Sequence, residues 1–280
     1  MFDVIIDYVF MFFVFSAIGW AIECTYRSLG ERRTINSGFL YGPMCPIYGT
    51  GCLVFDIILV PLSEPIEKRL IIVLLLGMLL ADIVEYATSY IMEKLFNARW
   101  WDYSNNFLNL HGRICFKHTC YWAIFAFVYV YLIAPMYRFA LGFISQEVRV
   151  IAVFVILAIF TVDLIFTVKA AADINKLMKK LSALKVSVME KAEQFKDTAE
   201  STYEELRSGT EKLTEWKNDI NRQYYDIVAK YEELASKGPK SRLMSIYSTM
   251  RKAADDSIRE IESKWNDIKA FFIDSDDEMM

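Results

Sequence analysis

The sequence predicts an all-α, polytopic membrane helix bundle of about five spans, followed by a cytoplasmic helical hairpin or coiled coil. Three observations predict it. Up to about Val168, long apolar runs carry charge only in short stretches at their ends. From Lys169 onward the chain is rich in Lys, Glu, Asp and Gln. Within that charged part, apolar residues return at every seventh position. The expected division is a transmembrane domain over 1–169 and a tail over 170–280, with helices at about 170–236 and 241–273.

Each span follows from an apolar run near the ~20 residues that cross a hydrocarbon layer. The runs are Val4 to Ile22, Tyr48 to Val60, Leu70 to Ile91, Tyr121 to Tyr137 and Val148 to Val168. In lipid, backbone polar groups must be satisfied within the segment, so the runs are helices. The N-terminus lacks a basic leader and a small-residue cleavage site, so Met1 to Trp20 is expected to remain as the first span.

Loop charge sets the expected orientation. Arg27, Arg32 and Arg33 follow the first span, Lys94, Arg99, Arg113 and Lys117 the third, and Lys169, Lys176, Lys179 and Lys180 the fifth. The other side has only Lys68, Arg69, Arg138 and Arg149. Positive loops stay in the cytoplasm, which places the N-terminus outside and the C-terminus inside the cell membrane.

In the tail, Leu206, Leu213, Ile220, Ile227 and Leu234 form a seam like that of a coiled coil. Gly238-Pro239 breaks it, because proline cannot continue a helix and glycine suits its end. A second amphipathic helix follows. A hairpin within the chain and self-association between chains both satisfy this pattern.

Several function classes are excluded. The net charge of -4 averages a basic-looped membrane part and an acidic tail, and nothing suggests nucleic acid. The five cysteines, mostly in or beside apolar runs, do not read as a disulfide framework. His111, Cys115, His118 and Cys120 match no zinc spacing, so no metal is expected, and no cofactor is implied. There is no phosphate-binding G-x-x-x-x-G-K-[ST] loop, no G-x-S-x-G elbow and no H-E-x-x-H pair.

The polar residues that remain are unevenly placed. The stretch Asn36 to Gly51 opens the second span and holds Tyr41, Pro43, Pro46 and Tyr48 among four closely spaced glycines. No regular helix runs through it cheaply. It reads either as an unwound segment lining a site or as a surface loop whose glycines allow close packing. Asp82, Glu85, Ser89 and Glu93 share one face of the third span. An isolated charge there costs at least ~2.5 kcal/mol on insertion scales, so partners are expected, with Arg27, Arg99 and Arg113 as candidates. Glu23 and Arg27 end the first span on one face. Between the third and fourth spans lie Trp100, Trp101, Asp102 and Tyr103. The rings suit the headgroup level, but an aromatic belt needs no acid. Asp56 and Asp163 are single acids in the second and fifth spans, and Asp163 lies near enough to a helix end to reach the interface. Alternation brings all the unusual segments to one side of the bundle.

Three strings then resemble one family. Gly38-Phe-Leu-Tyr-Gly-Pro-Met-Cys-Pro-Ile-Tyr-Gly49, Glu85-Tyr-Ala-Thr-Ser89 and Trp100-Trp-Asp-Tyr-Ser104 with Gly112-Arg113 look like the bacterial type IV, or CmpB-like, ABC-transporter permeases. Gly19-Trp20 and Glu23 resemble the family's opening motif, and Cys115 its Gly-Arg-Ile-Cys variant, whereas His118 is not part of the pattern. The similarity covers roughly residues 10 to 140 and leaves the tail out. It implies a permease that works with a separate ATPase subunit. Two other classes fit the same residues. One is an enzyme or lipid-binding protein acting at the inner leaflet, with Glu23, Glu85, Asp102 and Arg113 as acid–base groups and anion clamp. The other is a scaffold that recruits partners through its tail.

Overall fold

A computed structural model describes residues 1–32, 34–64, 66–96 and 99–198, with isolated positions between 215 and 263. The chain divides into two units, Met1–Lys169 and Ala170–Met280. In the second, the helix that enters at Ala170 continues to Thr198. Arg33, the heptad seam from Leu206 to Leu234, the Gly238-Pro239 break and the second tail helix lie outside the described residues, and with them the expected hairpin or coiled coil.

The first unit is a helical membrane bundle. Helix α1 (Phe2–Glu31) is followed by a loop without regular structure. Helix α2 (Pro46–Val54) continues through a π turn at Phe55–Leu59 and a tight turn at Val60–Leu62. Helix α3 (Ile66–Phe96) leads to a two-stranded hairpin of β1 (Asn109–Leu110) and β2 (Ile114–Cys115). Helix α4 (Phe116–Val128) continues through a second π turn at Tyr129–Ile133 into α5 (Ala134–Leu141). Helix α6 (Gln146–Thr198) follows.

Among the described residues, four apolar segments are long enough to cross a bilayer: Phe2–Gly30, Arg69–Phe96, Phe116–Leu141 and Gln146–Leu177. The expected second span is the shorter apolar helix Pro46–Leu62. It is short because the glycine- and proline-rich residues before Pro46 stay in the loop, which folds back along α1. Pro46 opens the helix at a position where its missing N–H costs nothing. Ile71, Ile124, Phe154 and Ile165 point outward and are more than half exposed, which is what lipid-facing positions require. The protein is therefore a multi-pass membrane protein.

The interior is built where small residues admit close approach. A Cβ at Gly49 would collide with Ser16 and the Phe12 carbonyl on α1, and one at Gly19 with the Tyr48 ring. Without these side chains α2 lies directly on α1, the small-residue packing usual between membrane helices. Phe15, Cys52, Phe55, Leu59 and Tyr129 close the centre.

Candidate functional site

The loop between α1 and α2 is stitched to α1 near both of its ends. Trp20 Nε1 donates to Asn36 Oδ1 at 2.8 Å, and the Ser37 N–H donates to Cys24 Sγ at 3.1 Å. The Ile35 N–H donates to Ser28 Oγ at 2.9 Å. The Cys45 N–H donates to the Ser16 carbonyl at 2.9 Å, which fixes where α2 begins. Gly38 makes the turn at φ 102°, a backbone conformation open mainly to glycine. Three residues into α2, the Tyr48 hydroxyl donates to Glu23 Oε2 at 2.8 Å.

A second acid stands across from this pair. Glu85 on α3 is buried, with 4% of its surface exposed. Its Oε1 accepts from the Tyr103 hydroxyl at 3.2 Å and its Oε2 from Trp122 Nε1 at 2.9 Å. One turn earlier, Asp82 accepts from Thr119 Oγ1 on α4 at 2.8 and 3.0 Å. A cavity of about 30 Å³, room for one or two waters, lies between α2, α3 and α4. Its wall is almost wholly apolar, with Phe55, Phe125 and Ala81 in the lining beside Tyr48, Glu85 and Trp122.

The arginines do not partner Asp82 and Glu85 in the way the charge pattern predicts. Arg99 Nε and Arg113 Nη2 both bind Glu93 Oε2, at 3.1 and 2.6 Å. Arg113 is buried beside the Tyr86 and Tyr90 rings, 5.4 and 5.5 Å from their centres. The reason is depth. Glu93 is two turns nearer the helix end than Glu85, so the guanidiniums stay at the rim. Neutral hydroxyl and indole donors reach the deeper acids without bringing a second ion into lipid. Arg27 lies one turn beyond Glu23 on α1, half-buried.

The remaining expected residues take shaping roles. Asp102 closes a turn: its Oδ1 accepts from the Ser104 N–H at 2.9 Å and the Ser104 hydroxyl at 2.5 Å. These bonds hold its carboxyl below the usual range. Trp101 Nε1 donates to the Arg113 carbonyl at 2.9 Å, and the Tyr103 N–H to the Gly112 carbonyl at 2.8 Å. The hairpin thereby carries Tyr103 in to Glu85. Burial, then the nearby Glu85 charge, raises the Tyr103 hydroxyl well above its ordinary value, so it stays a donor. Trp100 packs against Phe39 and Phe96 at 5.5 and 5.6 Å. Ser89 is 3% exposed, and among the described residues its hydroxyl has no hydrogen-bond partner. Pro43 is exposed, and the Tyr41 N–H turns away to α6. The geometry thus brings Glu23, Tyr48, Glu85 and Tyr103 to one region. It leaves Asp102, Pro43 and Trp100 at its margin.

Sequence reading passes over Trp122 and Thr119, which look like ordinary packing residues in an apolar helix. No group of three or more potential metal ligands occurs among the described residues.

Toward the opposite end the polar region stops. Phe15, Phe55, Phe125 and Tyr129 meet at ring distances of 5.6 to 6.3 Å. An apolar layer therefore separates the polar region from Asp56. Beyond it, Asp56 Oδ1 accepts from Arg138 Nη2 at 2.8 Å and from the Tyr129 hydroxyl at 3.3 Å. Asp56 and Tyr129 both sit in π turns, which offset a side chain from the regular helical face. Asp7 and Arg149 pair at 2.8 Å between α1 and α6.

No curated protein and no solved structure matches the chain. The family described as Putative ABC-transporter type IV matches residues 10–168, a stretch that contains every residue of the site above and more than half of the chain, so the chain belongs to that family.

Proposed function

We propose that the chain is the permease subunit of an ABC-type transport system, with its substrate site between Glu23, Tyr48, Glu85 and Tyr103. The observation that carries this reading is the pair of acids on separate helices, each held by a tyrosine, beside a helix that starts from a broken loop. An unwound segment next to buried acids is the usual construction of a transporter site. Family membership supports the same reading. With basic loops at that end, the site opens to the cytoplasm, the N-terminus is outside and the tail is inside. The chain has no P-loop, so ATP hydrolysis belongs to a separate ATPase subunit. Passage requires the aromatic layer at Phe55 and Tyr129 to part, and the arrangement described corresponds to a state closed on the outer side.

The test is uptake and efflux in cells that express the chain, scanned with labelled amines, amino acids, nucleosides and phosphate. At least one should accumulate or be depleted about tenfold relative to Glu85→Gln at equal protein level. Equal distribution of every compound in wild type and variant would sink the permease reading. A green fluorescent protein fused to the C-terminus should fluoresce, which reads the orientation.

One observation favours a second reading. A site closed by an apolar layer on one side also suits a lipid-binding protein or enzyme at the inner leaflet. Native mass spectrometry should then find a co-purified lipid on the wild type that Glu23→Gln and Glu85→Gln both lose.

A further inference from the structure

The acid that the sequence most readily dismisses makes the tightest connection between the broken loop and the rest of the bundle. Asp163 lies on α6, far in sequence from the residues it holds. Its Oδ1 accepts from the Tyr41 N–H at 3.0 Å, and its Oδ2 accepts from the Gly42 N–H at 2.7 Å. The Thr167 hydroxyl donates to the same Oδ1 at 3.3 Å and also meets the Tyr41 N–H at 3.4 Å. Two successive backbone donors on two carboxylate oxygens form a fork between the loop and α6. The fit is close: a Cβ on Gly42 would sit 2.7 Å from Asp163 Oδ2.

The fork has a direct path to the site. The Met44 N–H donates to the Gly42 carbonyl at 2.8 Å, a tight turn that leads straight into Cys45 and the first turn of α2. Cys45 is itself tied to Ser16 on α1. The start of α2 is therefore held from two sides, by α1 through Ser16 and by α6 through Asp163. Three residues later comes Tyr48, the donor to Glu23.

We infer that Asp163 is a positioning residue: its carboxylate latches the Tyr41-Gly42 backbone to α6 and so sets where α2 begins and where Tyr48 meets Glu23. The latch acts through the loop, and Asp163 itself lies outside the cavity lining. Sparse packing makes this matter. Along its apolar stretch α6 is largely exposed, and its other described ties to the bundle include the Arg149–Asp7 pair, the Gln146–Asp3 bond, Phe160 against Phe12 and Phe13, and the buried Val153. A shift of α6 therefore reaches the loop through Asp163, with Thr167 beside it.

The experiment reads amide hydrogen exchange over 39–44 and alkylation of each cysteine by N-ethylmaleimide, both by peptide mass spectrometry on the full chain in micelles. In the wild type the Tyr41 and Gly42 amides should be protected, and Cys45, 9% exposed, should react slowly. Asp163→Ala should speed exchange of both amides and alkylation of Cys45 by about tenfold or more. Cys52 and Cys115, 2% and 1% exposed, should stay protected. Gly42→Ala should give the same selective loss by pushing the carboxylate away. Asp163→Asn should fall between, because its amide oxygen still accepts one N–H. The latch is overturned if exchange and Cys45 alkylation are unchanged in Asp163→Ala and Gly42→Ala. It is equally overturned if Cys115 opens in step with Cys45 in both variants. General loosening in Asp163→Ala alone is decided by Gly42→Ala, where selective opening supports the latch and no opening overturns it. The role given to Tyr48 rests on the proposed site. Neither readout requires transport, so failure of the latch and failure of the permease reading appear in different experiments.

Discussion

Glu85 on α3 accepts a hydrogen bond from the Trp122 indole on α4 at 2.9 Å. The bond ties a deeply placed acid to the neighbouring helix with no cation involved. An indole can only donate, whereas the other donor to Glu85, the Tyr103 hydroxyl, can turn and accept. The two bonds to one carboxylate are therefore not equivalent.

That asymmetry gives the first prediction. In Glu85→Gln the amide oxygen should stay with Trp122 and the amide nitrogen should donate to Tyr103, whose hydroxyl turns to accept. Stability should fall by only about 1 kcal/mol, near the average for hydrogen bonds between membrane helices. Glu85→Ala leaves both donors buried without an acceptor and should cost about 2 kcal/mol or more. Unfolding of the purified protein by increasing SDS in mixed micelles measures both. An Ala variant as stable as the Gln variant would mean that these bonds hold nothing.

The two arginines on Glu93 should behave differently. The Arg113 side chain is 10% exposed and lies beside two tyrosine rings, while that of Arg99 is 36% exposed. Arg99→Ala should change stability by less than about 1 kcal/mol, the range of exposed pairs. Arg113→Ala should cost about 2–3 kcal/mol, because Glu93 and both rings lose a buried partner. Arg113→Lys should recover little of that, since an ammonium cannot cover two rings and a carboxylate together. The same SDS titration ranks the three.

Much of the fold is legible in the sequence because the bilayer imposes a simple rule. Apolar runs with charge at their ends can only be spans, and α1, α3, α4 with α5, and α6 lie where those runs are. The break before α2 is legible too, since Pro43, Pro46 and the glycines around them cannot be helical throughout. The candidate site is half legible. Glu23, Asp82, Glu85 and Tyr103 stand out as polar residues in unusual company. The α4 donors to Asp82 and Glu85 do not, because Thr119 and Trp122 occur in an apolar helix at spacings that packing alone explains. Asp163 is illegible for a different reason. It binds backbone N–H groups, and a sequence shows no trace of which backbone groups lack a partner. Arginine is the obvious partner for a buried acid on charge grounds, and that expectation overlooks the cost of placing the second ion.

Glycine substitutions should separate packing positions from free ones. Gly49→Ala places a methyl against Ser16 and the Phe12 carbonyl, and that backbone atom cannot swing aside. The α1–α2 contact must open, with a loss of about 2–3 kcal/mol expected for an overpacked interior. Gly51, two residues on, has nothing within 4 Å of its added carbon. Gly51→Ala should be neutral or stabilising by up to about 1 kcal/mol through helix propensity. Equal effects of the two substitutions in the SDS titration would show that α2 does not lie on α1 through Gly49.

The pair at the far end answers whether the apolar layer is backed by a structural ion pair. Asp56 is 8% exposed and holds Arg138 at 2.8 Å, but the Arg138 side chain is 48% exposed. Removing the arginine leaves a nearly buried carboxylate with only the Tyr129 hydroxyl, whereas removing the acid leaves an arginine that can turn toward the headgroups. Arg138→Ala should therefore be the more damaging, at about 2 kcal/mol, which is below the range for fully buried pairs because the guanidinium is half in contact with its surroundings. Asp56→Asn should cost about 1 kcal/mol or less. The double variant should be more stable than Arg138→Ala alone, since neutralising the acid removes the stranded charge. A double-mutant cycle on the same SDS titration gives the coupling directly. A coupling near zero would mean that the pair does not brace the layer, and that Asp56 is available to face a substrate when Phe55 and Tyr129 part.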